Sequence, residues 1–209
     1  MQGGSFLICG AEGQVGAALA QISPPRGVRF FQLSHDEFDI SDAEKIAETF
    51  SSVSPNLVIN AAAFTDVDGA EDDPDAAYLA NKDGPARLAD ACTKAEIPLL
   101  HVSTDFVFDG TKPTPYTESD PVSPLSVYGK SKAEGERAVR ESQARHIILR
   151  TAWVFGKKGS PFINAIIKKA RQGNDLLVVD DQIGGPTSAD DIARALITMA
   201  NSAISGTAP

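Results

Sequence analysis

Phe6-Leu-Ile-Cys-Gly10-Ala-Glu-Gly13-Gln-Val-Gly16 is the stretch that decides the fold, because an apolar run meets three glycines with the spacing G-x-x-G-x-x-G. A helix-like segment, Val15–Ala20, follows directly. Glycine permits a tight turn, lets backbone N–H groups approach a pyrophosphate, and allows the helix to pack closely on the strand. The stretch predicts a strand, a phosphate-binding turn and a helix, with a purely structural turn as the alternative.

Four further apolar runs continue this pattern and are separated by helix-like segments. They are Val28–Phe31, Leu57–Ile59, Leu99–Val102 and His146–Leu149. Continuous apolar strands that alternate with helices indicate a parallel sheet with helices on both faces. The sequence therefore predicts an α/β fold.

Start signals and apolar periodicity place the helices. Ser41-Asp42 predicts the N-cap of a helix that ends at Val53, and Asp83-Gly84-Pro85 opens another with proline in its first turn. Helical patterns also cover Val127–Glu141 and Phe162–Arg171 and begin again at Ala189.

Composition excludes several classes of function. The 209 residues hold 19 Lys and Arg against 28 Asp and Glu, and the formal charge of -9 repels nucleic-acid phosphates and anionic membranes. No apolar stretch reaches the roughly 18 residues of a membrane span, and no basic and apolar leader opens the chain. The two cysteines, Cys9 and Cys92, are predicted to be buried reduced thiols. We expect a cytoplasmic protein that binds neither nucleic acid nor membrane.

Tyr128 and Lys132 lie four residues apart at the start of a predicted helix, so they share one face. A phenol has a pKa of about 10, and a neighbouring ammonium stabilises the phenolate and lowers that pKa. Tyr128 is therefore a candidate to pass a proton to a carbonyl oxygen while hydride arrives at the carbon. Taken alone, the same pair also occurs on ordinary surface helices.

Val102-Ser-Thr-Asp105 ends the fourth predicted strand, at the edge where open α/β sheets bind ligands. The hydroxyl of Thr104 can donate there to the same oxygen as Tyr128, which gives two donors for developing negative charge. A long irregular segment follows, Asp105–Pro124, of a kind that is more often functional than filler. A hydroxyl at a strand end is otherwise a hydrogen-bonding cap.

The end of the second predicted strand bears on the choice of cofactor. An NAD site usually offers a carboxylate there to the ribose hydroxyls, whereas this stretch has none before Asp36. Gln32, Ser34 and His35 would repel a 2′-phosphate less than an aspartate would. The sequence predicts NADPH, with NADH as the alternative.

Together these blocks resemble the extended short-chain dehydrogenase/reductase superfamily and, within it, the dTDP-4-dehydrorhamnose reductases. The matching blocks are Gly10–Gly16, Ile59–Glu71, Ser103–Gly110, Pro115–Glu118, Tyr128–Lys132, Leu149–Phe155 and Asp181–Thr187. The second and the last of them are specific to the reductases. The resemblance implies an NAD(P)-binding Rossmann fold that reduces the 4-keto group of dTDP-4-dehydro-6-deoxy-L-mannose to give dTDP-L-rhamnose.

The resemblance also implies a role for individual residues. Tyr128 would be the general acid, Lys132 its electrostatic partner, and Thr104 a hydroxyl that polarises the keto oxygen. Asp105 and Trp153 match positions that meet the sugar nucleotide, with core packing as the alternative for Trp153. The residues that would contact the cofactor are Gly10, Gly13, Gln14, Val15, Asp39, Ile40, Ala63, Phe64, Thr65, Val102, Tyr128 and Lys132. Asp39 is read alternatively as a turn residue.

Members of the family continue for several strands and helices after the position of Pro209. We therefore expect one Rossmann domain over residues 1–209, with only the start of a small substrate-binding part. Asp190 and Asp191 match a place where some members bind Mg²⁺ between subunits, and ordinary charges at a helix start are the alternative. A homodimer is compatible with the resemblance. The competing functions are a non-catalytic NADP-binding regulatory subunit, resembling the methionine adenosyltransferase β subunit, and an inactive fragment of the reductase.

Overall fold

The computed structural model describes residues 4–158, 161–173, 175–178 and 180–206. The first half contains β1 (Gly4–Cys9), α1 (Gln14–Leu19), β2 (Val28–Leu33), α2 (Ala43–Val53), β3 (Leu57–Asn60), α3 (Val67–Asp72) and α4 (Pro74–Tyr78). A π-helical turn (Leu79–Asp83) leads into α5 (Gly84–Lys94), β4 (Leu99–Thr104) and a 3-10 turn (Asp105–Val107). The second half contains α6 (Val127–Glu141), β5 (His146–Thr151), β6 (Val154–Phe155), α7 (Pro161–Arg171), β7 (Thr187–Ser188) and α8 (Ala189–Ser205).

The central sheet has five parallel strands in the order β2-β1-β3-β4-β5. From β1 the chain first moves outward to β2 and then returns to the opposite side of β1 to form β3. In open α/β sheets such a reversal marks the ligand-binding crevice, which by this rule lies at the carboxyl ends of β1 and β3. The predicted parallel sheet is confirmed, and its glycine turn lies at the crevice.

Helices cover both faces of the sheet, as predicted. On one face, α1 and α8 pack on the strands through a core that includes Phe6, Ile8, Leu19, Ile192 and Leu196. The second core holds residues of α2, α5 and α6 against Leu7, Cys9, Val58 and Leu99. Alternate residues of the buried strands thus enter opposite cores, which explains why their sequences are continuously apolar. Both cysteines are free and fully buried, and burial raises the pKa of the Cys92 thiol to about 12.

The helix start signals act as expected. The carboxylate of Asp42 accepts hydrogen bonds from the backbone N–H groups of Glu44 and Lys45 at 2.9 and 3.1 Å, so it caps α2. Pro85 lies in the first turn of α5, where its missing N–H costs no helical hydrogen bond. The Asp42 cap explains where α2 begins, and Pro85 marks the change from the π-helical turn to α5, for which Asp83 forms no capping hydrogen bond.

A small parallel pair, β6 and β7, lies apart from the central sheet. In the described part of the chain, no helix is both long and apolar enough to cross a membrane.

Candidate active site

Gly10 and Gly16 are required by the packing of the turn after β1. Gly10 has a φ of +79°, and a Cβ added to it would lie 2.7 Å from the backbone nitrogen of Ala62. A Cβ at Gly16 would lie 2.1 Å from the carbonyl oxygen of Gly10. Any larger side chain would push the turn away from the strand or from the loop that follows β3.

Gly13 differs from these two glycines, because the fold itself does not require it. Its φ of -68° suits any residue, and a Cβ there would approach only the Gly10 carbonyl oxygen, at 3.4 Å. The neighbouring Gln14 has a buried Oε1 atom without a hydrogen-bond partner among the described residues. An exposed glycine that the fold itself does not require fits a turn that receives a ligand, as the phosphate-binding motif predicts.

The loop after β3 is fixed by two buried asparagines. Asn60 accepts a hydrogen bond from the backbone N–H of Ala62 at 3.1 Å, so it caps its strand. Asn81 accepts from the N–H of Phe64 at 2.9 Å and donates to its carbonyl oxygen at 3.0 Å. These contacts hold Ala63, Phe64 and Thr65 beside the crevice. Asn81 was not predicted, because its partner lies in a distant loop.

The catalytic candidates converge at the carboxyl end of β4. Thr104 is the last residue of the strand, and Tyr128 lies in the first turn of α6, where it is only 9% exposed. The ring of Phe106 packs edge-on against the Tyr128 ring, with the centroids 5.5 Å apart. The fold therefore brings together the hydroxyl and the phenol that the sequence predicts to act on one oxygen.

The expected net lowering of the Tyr128 pKa is not found. Burial raises the pKa of Tyr128, and the opposing hydrogen bond with Thr104 does not cancel that effect. The phenolate is disfavoured because little water reaches it. Tyr128 is consequently protonated at neutral pH, which is the form that a proton donor needs.

Lys132 is buried on the same face of α6 and is 2% exposed. Its Nζ atom donates a hydrogen bond to the carbonyl oxygen of Val102 at 2.8 Å. Burial lowers the pKa of Lys132 to about 8, and the charge of Glu136 acts in the opposite direction. The ammonium is therefore held at β4. Its pKa of about 8 lies only slightly above neutral pH, so the group is charged there and loses its charge in mildly basic solution.

Asp105 and Trp153 lie at the same edge of the sheet. Asp105 accepts a hydrogen bond from Thr104 Oγ1 at 3.2 Å, and burial raises the pKa of its carboxyl group. Trp153 follows β5, whose last residue Thr151 pairs with Thr104. The tryptophan is 45% exposed and has a φ of +45°. Trp153 is therefore not a buried core residue, although one part of its ring lies against Gly184.

Asp39 and Ile40, two of the residues expected to contact the cofactor, already have partners within the fold. Asp39 accepts a hydrogen bond from the backbone N–H of Ser41 at 2.8 Å, so it is at least a turn residue. Ile40 is 4% exposed and its side chain packs on Gly84, which leaves chiefly its backbone for a ligand. The hydroxyl and N–H of Ser34 both donate to Glu37 at 2.9 Å. Glu37 lies four residues beyond the end of β2, one residue past Asp36, so the strand-end pattern does not point to it.

Asp190 and Asp191 lie in the first turn of α8, and Asp191 forms an ion pair with Arg194. Within residues that the structure describes, no group of three or more His, Cys, Asp or Glu is placed to hold a metal ion. The structure thus gives the magnesium interpretation no support, and the positions suit ordinary charges at a helix start.

Comparison with known proteins agrees with this geometry. Residues 4–208 match the family model described as RmlD substrate binding domain. The dTDP-4-dehydrorhamnose reductases of Aggregatibacter actinomycetemcomitans and Sinorhizobium fredii are 45% and 41% identical to the chain, which covers 69% and 67% of their lengths; each match spans 96% of the chain. The crystal structure of the Bacillus anthracis dTDP-4-dehydrorhamnose reductase in complex with NADP superposes with a TM-score of 0.92 at 31% identity, covering 97% of this chain and 72% of that one.

Proposed function

The chain belongs to the RmlD substrate binding domain family, and from this premise we propose that it is an NAD(P)H-dependent dTDP-4-dehydrorhamnose reductase. Its substrate would be the nucleotide sugar dTDP-4-dehydro-6-deoxy-L-mannose and its product dTDP-L-rhamnose. The observation that carries the proposal is the convergence of Thr104, Tyr128 and Lys132 at the end of β4, beside the crevice. The names of the relatives support the substrate.

In the proposed reaction the ketone gains a hydride at carbon and a proton at oxygen. When bound, the nicotinamide cofactor supplies the hydride. Tyr128 donates its phenolic proton to the keto oxygen. Its raised pKa keeps the phenol protonated before the reaction. The hydroxyl of Thr104, whose single proton is donated to Asp105 in this structure, would turn to donate it to the same oxygen and stabilise the developing negative charge. Lys132 supplies a buried positive charge that favours the phenolate left behind.

The residues of the crevice fit a dinucleotide. The backbone of Gly10 and Gly13 would contact the pyrophosphate, with Gln14 and Val15 beside it. Ala63, Phe64, Thr65 and Val102 would line the rest of the cofactor, together with Asp39 and the backbone of Ile40. NADPH is the proposed cofactor, supported by the NADP complex of the Bacillus anthracis relative. NADH is a second candidate, because the carboxylate of Glu37 after β2 favours ribose hydroxyls over a 2′-phosphate.

The substrate side of the crevice is proposed to include Asp105 and Trp153. We treat residues 1–209 as one Rossmann domain with the beginning of the substrate-binding part. The presence of the proton donor and both of its partners favours the reductase over a regulatory subunit, which would not need them. A homodimer and a cytoplasmic location stay predictions.

Exchange of Tyr128 for phenylalanine tests the proposal. We expect Tyr128→Phe to lower kcat by about 100-fold or more, because the proton donor is lost, with NADPH affinity within about threefold. NADPH oxidation at 340 nm, with enzymatically prepared keto sugar, measures the first, and fluorescence titration the second. Tyr78→Phe, in α4, is the matched control and should retain activity. A Tyr128→Phe variant as active as the control would refute the assigned proton donor.

A further inference from the structure

Arg150 of β5 connects the catalytic helix to the segment that follows Thr104, and the proposed chemistry does not use it. Its guanidinium contacts Glu136 of α6 on one side and the ring of Phe108 on the other. Glu136 is one helical turn beyond Lys132. The same arginine therefore touches the helix that carries Tyr128 and the segment that carries Asp105.

Glu136 fixes the plane of the guanidinium. The Arg150 Nε and Nη2 atoms donate to the two carboxylate oxygens at 2.8 and 2.6 Å, which is a two-point contact. Glu136 is fully buried, and Arg140 also pairs with it at 3.0 Å. Although burial opposes ionisation, the hydrogen bonds from Arg150 and the nearby charges keep the pKa of Glu136 below its ordinary value. The carboxylate is therefore charged at neutral pH and orients the arginine.

The oriented guanidinium supports a stack of two rings. It lies 4.8 Å from the centroid of Phe108, and this ring stacks on Tyr116 with centroids 4.1 Å apart and planes 8° apart. The Tyr116 hydroxyl donates to Asp109 at 2.8 Å, and Lys112 Nζ lies 5.6 Å from the Tyr116 centroid. The stack ties the two ends of the 108–116 loop together and connects them to Arg150 of β5 through the Phe108 ring.

The residues between Thr104 and this stack have little freedom to move. Val107 is fully buried, and its carbonyl oxygen accepts from the N–H of Ser123 at 2.8 Å. A Cβ added to Gly129 would lie 2.3 Å from the carbonyl oxygen of Phe106, so α6 touches the segment backbone directly. Asp105 is thus held between Thr104 on one side and the stack on Arg150 on the other.

We propose that Arg150 is a positioning residue, which uses the Glu136 carboxylate and the Phe108 ring to fix residues 104–109, and with them Asp105, relative to Tyr128. The proposal rests on the function proposed above for the use of this segment in binding the nucleotide sugar. A lysine could supply the charge of Arg150 but not its planar two-point contact and stacking face. The positioning role therefore requires arginine at position 150.

Phe108 gives the sharper test, because it lies in a loop and its exchange leaves the buried Glu136–Arg150 pair intact. We expect Phe108→Leu to lower kcat/KM for the keto sugar by about tenfold or more and to leave NADPH affinity within about twofold. Phe108→Tyr keeps an aromatic ring at this position, and its kcat/KM should stay within about twofold of that of the unchanged chain. Arg150→Lys should resemble Phe108→Leu, and the double variant should be no worse than Arg150→Lys by more than about twofold, because both act through one contact.

Hydrogen exchange supplies a readout that needs no turnover. Peptides that cover residues 105–116 should exchange about tenfold faster or more in Phe108→Leu than in Phe108→Tyr, while those of β1 and β3 stay unchanged. Unaltered exchange in Phe108→Leu would overturn the positioning role of Arg150, whether or not the chain reduces the keto sugar. A failure of the unchanged chain to reduce the keto sugar would separately refute the proposed function. Faster exchange with unchanged kcat/KM would overturn the positioning role as well, since the segment would then not position the site.

Discussion

At the scale of single residues, burial sets the protonation state of the two groups that the reaction needs. Water is excluded from Tyr128 and Lys132 alike, but the charged form is the base in one and the acid in the other. Burial therefore raises the pKa of Tyr128 and lowers that of Lys132. The phenol stays protonated and neutral, whereas the ammonium loses its proton more readily than an exposed lysine does. The sequence shows the spacing of this pair, but it does not show that both side chains are buried.

The lowered pKa of Lys132 predicts a pH dependence. The ammonium is charged below its pKa of about 8 and neutral above it, so kcat/KM should fall as the pH rises through about 8. The raised pKa of Tyr128 places its own titration higher. Lys132→Arg keeps its charge in this range, so its basic limb should move upward by at least about one pH unit, even if its maximal rate is lower.

The measurement is kcat/KM for the keto sugar from pH 6 to pH 10, at saturating NADPH, for the unchanged chain and for Lys132→Arg. A basic limb at the same pH in both proteins would show that another group controls it.

At the scale of elements, the three glycines of the first turn have different reasons to be glycine. A side chain at Gly10 or Gly16 would collide with backbone atoms of the chain itself. A side chain at Gly13 would instead enter the space where the ligand is expected. The sequence motif predicts all three without distinguishing them. Only the packing of α1 against β1 and of the turn against the loop after β3 separates structural glycines from the one that faces a ligand.

This difference predicts opposite results for two similar changes. Gly13→Val should abolish detectable NADPH binding, because its branched side chain enters the pyrophosphate position, and should leave the unfolding free energy within about 1 kcal/mol. Gly16→Val should lower the unfolding free energy by about 1–3 kcal/mol or more, because it overpacks the turn. Urea denaturation and fluorescence titration measure the two quantities. Normal NADPH binding by a folded Gly13→Val variant would make this turn purely structural.

The long elements were predictable from the sequence, and the short ones were not. All five strands of the central sheet and α2, α5, α6 and α7 follow from apolar runs, caps and periodicity. The two short helices and the π-helical turn between residues 67 and 83 are too short and too rich in Asp and Ala to show a periodic apolar face. Their remaining signals are the caps, since Asp66 and Asp73 each accept from an N–H of the first turn.

At the scale of the whole molecule, the reversal of strand order assembles the site from both halves of the chain. The glycine turn follows β1, whereas Tyr128 and Lys132 come from α6. These residues could be predicted from the sequence because each belongs to a local motif. Asn81 belongs to no such motif, and its importance lies in contacts with the loop after β3 that only the folded chain brings near. Arg150 lies in a matched block, but its contacts with Glu136 and Phe108 are visible only in the folded chain.

The proposed activity is transfer of a hydride from the nicotinamide to the sugar. The most direct test supplies NADPH that carries deuterium at the transferable position of the nicotinamide, together with dTDP-4-dehydro-6-deoxy-L-mannose, and analyses the sugar nucleotide by mass spectrometry and NMR. We expect dTDP-L-rhamnose with a single deuterium at C4 of the sugar. Recovery of the keto sugar without deuterium, from protein that binds the cofactor, would contradict the proposed activity.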